Sequence, residues 1–369
     1  MLQSTRSLLE SIMPNEHVAL VIGGGVAGLQ ASLDLADHGF QVYLVEKEAK
    51  LGGTLKNLGR LFPTLRDAEE TLKPLIEKVV SNPSIKVIAQ AEVQTVQGSV
   101  GDFKARIGRA GSPDIPVVEV EVHADVIVVA TGFRQYEAQK LGQYKYGQHR
   151  NVVTGLEYER MLKPDGPTQG KILRPDNGQK PKSVAFILCA GSRDEKHLRY
   201  CCNLGCLNAI KHAHLLRKQY GKEVDAYICY IDIRAVTKTG EQFYNKARAE
   251  EVEFIHGQPS EVRQALDGTL TLDVYDQATS KLLSITADLV VLEMGLEPNV
   301  EIAEKLGLKL TEDGFIVEKD PQLSVSETNI EGIFLAGAVQ QPMHSYEAVV
   351  HASAAALKAI SIQKTKTDS

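Results

Sequence analysis

Four of the five cysteines lie within eighteen residues, in the spacing C-x11-C-C-x3-C formed by Cys189, Cys201, Cys202 and Cys206. Four thiolates are the ligand set of a cubane [4Fe-4S] cluster, and the same set binds a structural zinc ion. Two of the thiols can instead form a redox-active disulfide. The spacing favours an iron–sulfur cluster, with disulfide chemistry, zinc and core packing left open. The fifth, Cys229, stands inside an apolar run and is expected to be a core thiol.

A glycine-rich turn offers a second chemistry, the binding of a pyrophosphate. The apolar run 18–22 predicts a buried strand, and Gly23, Gly25 and Gly28 follow it as G-x-G-x-x-G. These glycines permit a tight turn, a close approach of backbone to phosphate and close packing of helix on strand. The phosphates then bind the free N–H groups of the helix N-terminus. A second predicted strand ends in Glu46, which is placed to bind ribose hydroxyls, so the complete unit predicts a dinucleotide site.

Further motifs favour FAD as that dinucleotide. The pair Gly52-Gly53, shortly after the acid, resembles a flavoprotein pattern. Two apolar strands end in Ala-Thr-Gly and in Gly-Ala, and they resemble the closing motifs of flavoproteins with two dinucleotide domains. The second motif has Ala338 where these proteins often have an Asp. The expected FAD contacts are Gly23, Gly25, Val26, Ala27, Gly28, Glu46, Lys47, Gly53, Thr54, Val93, Ala130, Thr131, Gly132, Gly337 and Ala338.

The cysteines belong to a second predicted α/β unit. A strand at 184–188 leads through a loop into a helix at 204–218. Cys189 therefore stands at the carboxyl end of a strand, where open α/β sheets build their sites. The last two cysteines of the group are four residues apart and share a face once the helix has begun. Of a second G-x-G-x-x-G only Gly191 remains, so we expect no standard nicotinamide site here.

Composition excludes several classes of function. Lysine and arginine number 41 against 47 acidic residues, a net charge of −6, which argues against a nucleic-acid partner. No run of eighteen uninterrupted apolar residues exists and no signal peptide is evident at the start, so we expect no membrane span and a cytoplasmic location. No Ser/His/Asp group is evident, and catalytic residues stay unassigned. We expect a homodimer, because an N-terminal apolar stripe needs burial: Leu8, Leu9, Ile12 and Met13.

Several stretches complete a family pattern. Besides the phosphate turn, they are Leu44-Val-Glu-Lys47, Phe62-Pro63-Thr64, Cys189-x-Gly-Ser-Arg-Asp-Glu195, Cys201-Cys202, Tyr230-Ile-Asp-Ile-Arg-Ala235 and Phe334-Leu-Ala-Gly337. Together they resemble the A-type subunits of heterodisulfide reductase over nearly the whole chain. The resemblance implies FAD in a thioredoxin-reductase-like fold. It also implies a [4Fe-4S] cluster held at Cys189, Cys201, Cys202 and Cys206.

The sequence departs from the longer, methanogen members of that family. Those carry ferredoxin-type C-x2-C-x2-C-x3-C runs and cysteines after Phe-Pro-Thr, whereas here Leu65-Arg66-Asp67 follows and no such run occurs. The chain thus resembles the short A-type form found in the heterodisulfide-reductase-like complex of sulfur-oxidising prokaryotes. That resemblance implies iron–sulfur subunits and a lipoate-binding protein as partners in sulfane-sulfur oxidation.

The expected fold is α/β, with two dinucleotide-binding-like (Rossmann-type) domains, the second inserted into the first. We predict a first FAD-binding part at 15–158, an inserted NAD-like domain with the cysteines at 159–294, and a second FAD-binding part at 295–369. FAD with a cluster converts two-electron into one-electron transfer, so the predicted function is an electron-transferring flavo-iron–sulfur subunit. The alternatives are a stand-alone NAD(P)H-dependent disulfide reductase, a methanogen-type electron-bifurcating subunit, and a scaffold that keeps FAD for stability.

Overall fold

The computed structural model describes residues 17–109 and 120–367, which pack into two compact units. The first unit contains the described residues up to 56, those within 72–133, and those from 298 onward. The second contains 57–71 and 134–297. In sequence, the second unit is therefore inserted into the first, as the motifs predict.

A five-stranded parallel sheet forms the centre of the first unit. Its short apolar runs, rich in Val, Ile and Leu, are typical of strands that are buried on both faces. In spatial order the strands are Ile333–Leu335, Val126–Val129, His17–Ile22, Phe40–Glu46 and Ile85–Ala89. An antiparallel excursion adds Ala91–Gln97, Phe103–Arg109 and Val120–Ala124.

Small residues bring two helices of the first unit close together. Helix Val26–Asp37 packs against helix Ser345–Thr367. The second helix has a stripe of fully buried alanines, which lets the two backbones approach, and Ser353 donates a 2.6 Å hydrogen bond to Asp34 across the contact. The buried alanines are Ala352, Ala355, Ala356 and Ala359. Two further helices associated with this part of the chain are Ala68–Ser81 and Glu301–Leu306.

The second unit repeats the parallel architecture. Its strand order is Val152–Thr154, Leu289–Met294, Ser183–Ala190, Asp225–Tyr230 and Glu253–His256. An antiparallel sheet of Pro259–Gln264, Leu270–Asp276 and Lys281–Ala287 accompanies it. The helices are Gly155–Leu162, Gly205–Tyr220 and Lys238–Ala249. The first of these begins with a capping box, in which Thr154 and Glu157 satisfy each other's backbone N–H groups.

The boundaries between the two compact units differ from the domain boundaries that the sequence predicts at 158 and 294. The chain leaves the first unit after 133, because residues that lack a periodic pattern nonetheless pack into the core of the second unit. The buried side chains there include Tyr136, Leu141 and Tyr144. Two of the four places where the chain passes from one unit to the other lie in short strands, Phe133–Gln135 and Leu296–Pro298. The limits 15–158, 159–294 and 295–369 therefore stay a prediction of functional domains.

No helix in the described part of the chain has the length and apolar character needed to cross a bilayer. The apolar stripe at Leu8, Leu9, Ile12 and Met13 lies outside the described residues.

Candidate functional site

The phosphate turn of the first unit excludes side chains at two of its glycines. Gly23 has a φ of +110°, and a Cβ there would stand 2.4 Å from the carbonyl oxygen of Ala130. A Cβ on Gly28 would stand 1.8 Å from the carbonyl oxygen of Gly23. These contacts are the tight turn and the close helix–strand packing that the motif predicts.

Gly25 has a different environment, because space is open beside it. A Cβ on Gly25 would meet only the Cα of Gly53, at 3.9 Å. Gly25 is the N-cap of helix Val26–Asp37, and no side chain caps this helix start. Gly337 lies over the same helix start, since its Cβ would be 2.7 Å from the Cβ of Ala27. Four of the predicted contacts thus surround an uncapped helix N-terminus, which fits a pyrophosphate.

Glu46 ends the strand Phe40–Glu46 and is 7 % exposed. Its Oε2 accepts a 2.6 Å hydrogen bond from the Gly24 N–H, and its Oε1 accepts one of 2.8 Å from the Glu48 N–H. These two bonds fix the carboxylate beside the phosphate turn. Each oxygen of an ionised carboxylate accepts more than one hydrogen bond, so capacity for ribose hydroxyls remains.

Other predicted contacts have internal partners already. The Thr131 hydroxyl donates a 2.6 Å hydrogen bond to the carbonyl oxygen of Asn299, whose side-chain amide donates back to the Thr131 carbonyl at 2.9 Å. The carbonyl oxygen of Val93 accepts from Lys305 at 2.7 Å, and the Val93 side chain is buried. Lys47 is exposed, and Val26, Thr54 and Gly132 are half-buried. Ala338 is buried in the core of the first unit. The roles of these residues toward FAD stay predictions.

The four clustered cysteines line one pocket of the second unit: Cys189, Cys201, Cys202 and Cys206. Three of them are buried and Cys201 is half-buried, and all are free thiols. Arg193, Arg234 and Asp232 also line the pocket, and both guanidinium groups pair with that carboxylate. Cys229 is fully buried elsewhere in the unit, in strand Asp225–Tyr230, which confirms it as a core thiol.

Backbone groups and neighbouring thiols bind the sulfur atoms. The Asn203 N–H donates to Cys201 Sγ at 3.3 Å, and the Gly205 N–H donates to Cys202 Sγ at 3.4 Å. The hydrogen bond with Cys202 holds the pKa of Cys201 below its ordinary value, and the same bond, with burial, raises the pKa of Cys202. Burial raises the pKa of Cys189 to about 12 and that of Cys206 to about 11. Cys201 is therefore the thiol that ionises first.

The donor set fits an iron–sulfur cluster in number and type, and N–H···S hydrogen bonds are among the features that tune such clusters. Within the described ranges, however, no three His, Cys, Asp or Glu side chains form a group arranged for a metal ion. The structure brings the four thiols into one pocket without setting them at ligand positions. The assignment of Cys189, Cys201, Cys202 and Cys206 as cluster ligands stays a prediction.

The cysteine pocket lies where a nucleotide-binding unit would have its phosphate turn. Strand Ser183–Ala190 leads into helix Gly205–Tyr220 through a long loop, and Cys189, with a φ of +54°, stands at the end of the strand. At the helix start, the Gly205 N–H is bound to the Cys202 sulfur. The helix N-terminus that binds pyrophosphate in Rossmann units therefore faces a thiol in this one.

A network of buried charged side chains lies along helix Gly205–Tyr220, beyond the cysteine pocket. The sequence analysis did not predict this network. Lys211 and His212 are 0 % exposed, and both pair with Glu159, which is also 0 % exposed. Lys211 donates a further 3.0 Å hydrogen bond to the Arg60 carbonyl oxygen. Burial would raise the pKa of Glu159, but the Lys211 ammonium and the hydrogen bond from His212 hold it below its usual value.

One sequence signal points to this network. Glu293 stands in a run of apolar residues, Leu289–Met294, that predicts a buried strand. A carboxylate in a buried strand needs a buried partner. The partner could not be named from the sequence, because His212 lies 81 residues away along the chain.

The comparisons with known proteins agree with this architecture. A family model described as pyridine nucleotide-disulphide oxidoreductase matches residues 17–167 and 211–356. The A-type subunit of the H(2):CoB-CoM heterodisulfide,ferredoxin reductase of Methanothermobacter marburgensis is 35% identical over 92% of this chain and 63% of its own length. An A-type iron-sulfur subunit of the CoB–CoM heterodisulfide reductase of Methanopyrus kandleri is 34% identical over 93% of this chain and 64% of its own length. The expected resemblance to the A-type subunits of heterodisulfide reductase is thereby confirmed.

The fold comparison gives the same answer. The crystal structure of T. acidophilum thioredoxin reductase superposes with a TM-score of 0.63 at 19% identity, covering 94% of this chain and 99% of that one. This likeness confirms the thioredoxin-reductase-like fold with two Rossmann-type domains. The chain spans less than two thirds of the length of the curated relatives it matches. Since the family model covers most of the chain, the protein belongs to the pyridine nucleotide-disulphide oxidoreductase family and is a flavin-dependent oxidoreductase.

Proposed function

We propose that the chain is an FAD- and [4Fe-4S]-containing electron-transfer subunit of a heterodisulfide-reductase-like complex. The observation that carries the proposal is the pocket that Cys189, Cys201, Cys202 and Cys206 line in place of a nucleotide turn. FAD accepts two electrons and a cluster passes them one at a time, so a chain holding both converts between the two modes. The relatives named for heterodisulfide reduction support this role.

The cellular setting is part of the proposal. We place the protein in the cytoplasm, in sulfane-sulfur or thiol–disulfide oxidation, with iron–sulfur subunits and a lipoate-binding protein as partners. Leu65-Arg66-Asp67 stands where the methanogen members carry cysteines after Phe-Pro-Thr, which favours this setting over a methanogen-type bifurcating role. We also propose that the protein forms a homodimer. Light scattering that finds only monomer at working concentrations would contradict the homodimer.

The stand-alone disulfide reductase remains a second candidate because of one feature. Cys201 and Cys202 are adjacent, and their hydrogen bond lowers the pKa of Cys201, as in a reactive dithiol. In that function only this pair is essential, and the number of titratable thiols rises on reduction.

Anaerobic purification with iron and sulfide analysis and EPR tests the main proposal. Single Cys→Ala changes at the four pocket positions should each remove or degrade the cluster, because an iron that loses its thiolate is opened to water and oxygen. Cys229→Ala is the matched control and should keep the cluster, since this thiol lies in the core. FAD should remain in all five variants, because the phosphate turn belongs to the other unit. Wild-type protein that contains zinc or no metal would overturn the proposal.

A further inference from the structure

A buried carboxylate is bound at two successive turns of the helix that begins at the cysteine pocket. Glu293 is 3 % exposed and lies in strand Leu289–Met294, next to strand Ser183–Ala190. Its Oε2 accepts a 2.8 Å hydrogen bond from the Asn208 side-chain amide. Its Oε1 is 2.8 Å from Nδ1 of His212. Residues 208 and 212 are one helical turn apart, so the two bonds fix both the rotation and the height of the helix on the sheet.

The same helix carries pocket residues in its first turn. Gly205 and Cys206 are its first two residues. The position of a Cβ on Gly205 is 3.2 Å from Cys202 Sγ and 3.5 Å from the Cβ of Glu293. Glu293 and the Cys202 sulfur therefore flank the same glycine. Any movement of the helix relative to this carboxylate displaces the Cys206 thiol and the N–H group that binds Cys202.

We call Glu293, together with Asn208 and His212 that bind it, the clamp. Charged groups on the far side of His212 complete it. His212 Nε2 is 2.6 Å from Glu159 Oε1, so each ring nitrogen faces a carboxylate and each must carry a proton to bind it. Burial would lower the pKa of His212, but the charge of Glu293 and hydrogen bonds to both carboxylates raise it above its ordinary value. With the Lys211 ammonium on Glu159, two positive and two negative groups balance in a site closed to water.

We propose that Glu293, held by Asn208 and His212, is a positioning residue for the cysteine pocket. It sets the start of helix Gly205–Tyr220 so that the Cys206 thiol and the Gly205 N–H face the place of the cluster. The inference rests on the proposed function, since it assigns a role toward the same site. It also gives a role to the one carboxylate in an otherwise apolar strand.

Glu293→Gln tests the clamp, because it puts a side-chain NH₂ against a hydrogen-bond donor without changing the shape. Full-length protein is purified anaerobically and its iron-to-FAD ratio, the EPR spectrum of the reduced state and the midpoint potential of the cluster are measured. We expect at least a halving of the iron-to-FAD ratio or, where iron is retained, a changed EPR spectrum and a shifted potential. Asn208→Ala removes one of the two bonds and should act in the same direction, more weakly.

The double variant Asn208→Asp with Glu293→Gln separates positioning from a general loss of fold. The new carboxylate at position 208 accepts from the new amide at position 293, so the hydrogen bond is restored with its direction reversed. We expect the iron content and the EPR spectrum to recover toward wild type. His214→Gln is the matched control, because His214 lies on the same helix as His212 but pairs, at 2.7 Å, with Glu250 at the end of helix Lys238–Ala249. This variant should leave both readouts unchanged.

The outcomes distinguish the two proposals. Wild-type protein without iron overturns the proposed function and this inference with it. Wild-type protein with iron, combined with single variants that keep FAD and show the wild-type iron content, spectrum and potential, overturns the positioning role alone. A double variant no better than Glu293→Gln also contradicts it.

Discussion

At the scale of single residues, the three glycines of the phosphate turn have different reasons to lack a side chain. At Gly23 and Gly28 the neighbouring backbone leaves no room for a Cβ. At Gly25 a Cβ is tolerated sterically, and the φ of −73° is ordinary for any residue. The reason for Gly25 therefore lies outside the protein's own atoms. The phosphate group that the motif predicts at this helix start would supply that reason.

Gly25→Asp should therefore yield a folded protein that binds FAD more weakly. Asp is a better N-cap than Gly by a few tenths of a kcal/mol, so the helix is not harmed. Its carboxylate would face the pyrophosphate, and a like-charge contact near 4 Å costs from about 1 kcal/mol in water to about 4 kcal/mol at an effective dielectric of 20. We expect FAD affinity to fall on the order of tenfold or more, measured by flavin absorbance and by titration of the apoprotein.

Gly25→Asn is the control for that change, since it has the same shape and capping ability without the charge. It should retain more FAD than the aspartate variant. Equal FAD content in the two variants and the wild type would remove the assignment of this turn to the pyrophosphate.

At the scale of elements, sequence periodicity predicted the helices and strands that local residue patterns determine. The helix expected at 204–218 is Gly205–Tyr220, and the strand expected at 184–188 is the central part of Ser183–Ala190. The residues after 133 have no periodic pattern, yet Tyr136 and Tyr144 pack in a core. The partners of Glu293 were equally hidden, since Asn208 lies 85 residues away. A polar residue in an apolar run shows that a partner is needed, but the identity of a distant partner leaves no local pattern in the sequence.

One such pairing is a hydrogen bond between the last helix and Gly337, a predicted FAD contact that follows strand Ile333–Leu335. The Gly337 N–H donates a 3.0 Å hydrogen bond to Nδ1 of His351, in helix Ser345–Thr367. The other ring nitrogen is 3.3 Å from the carbonyl oxygen of Val325, so the ring is neutral with its proton on Nε2. Protonation would place an N–H group against an N–H group. Burial accordingly lowers the pKa of His351.

This geometry predicts that the free energy of unfolding depends on pH because His351 becomes protonated. Unfolded, the ring has a pKa of about 6.5, so below that pH the unfolded state binds more protons than the native one. The free energy of unfolding should therefore fall as pH drops below about 6.5, with this residue adding at most about 1.4 kcal/mol per pH unit. His351→Asn keeps an acceptor for Gly337 and cannot titrate, so its profile should be flatter. Urea unfolding at pH 7.5 and 5.5 measures the difference, and parallel profiles for variant and wild type would contradict the prediction.

At the scale of the whole molecule, two units of the same architecture have phosphate turns of different chemistry. The first has an uncapped helix start surrounded by glycines. The second has a helix start whose Gly205 N–H is bound to a sulfur. Beyond its next strand, Asp232 stands paired with Arg193 and Arg234. One unit therefore keeps the features of nucleotide binding, whereas the corresponding positions of the other have thiols and ion pairs.

We therefore predict that NADH and NADPH do not reduce the flavin of the purified chain. A nicotinamide cofactor requires free N–H groups at a helix start and a turn that approaches its pyrophosphate, and the second unit offers a cysteine pocket instead. Anaerobic addition of either nucleotide in excess should leave the flavin absorbance unchanged, whereas dithionite should bleach it. A thioredoxin reductase assayed in parallel shows that the nucleotide is active. Stoichiometric bleaching by NADH or NADPH would put a nicotinamide site in this chain and favour the stand-alone disulfide reductase, because electrons would then enter without a partner protein.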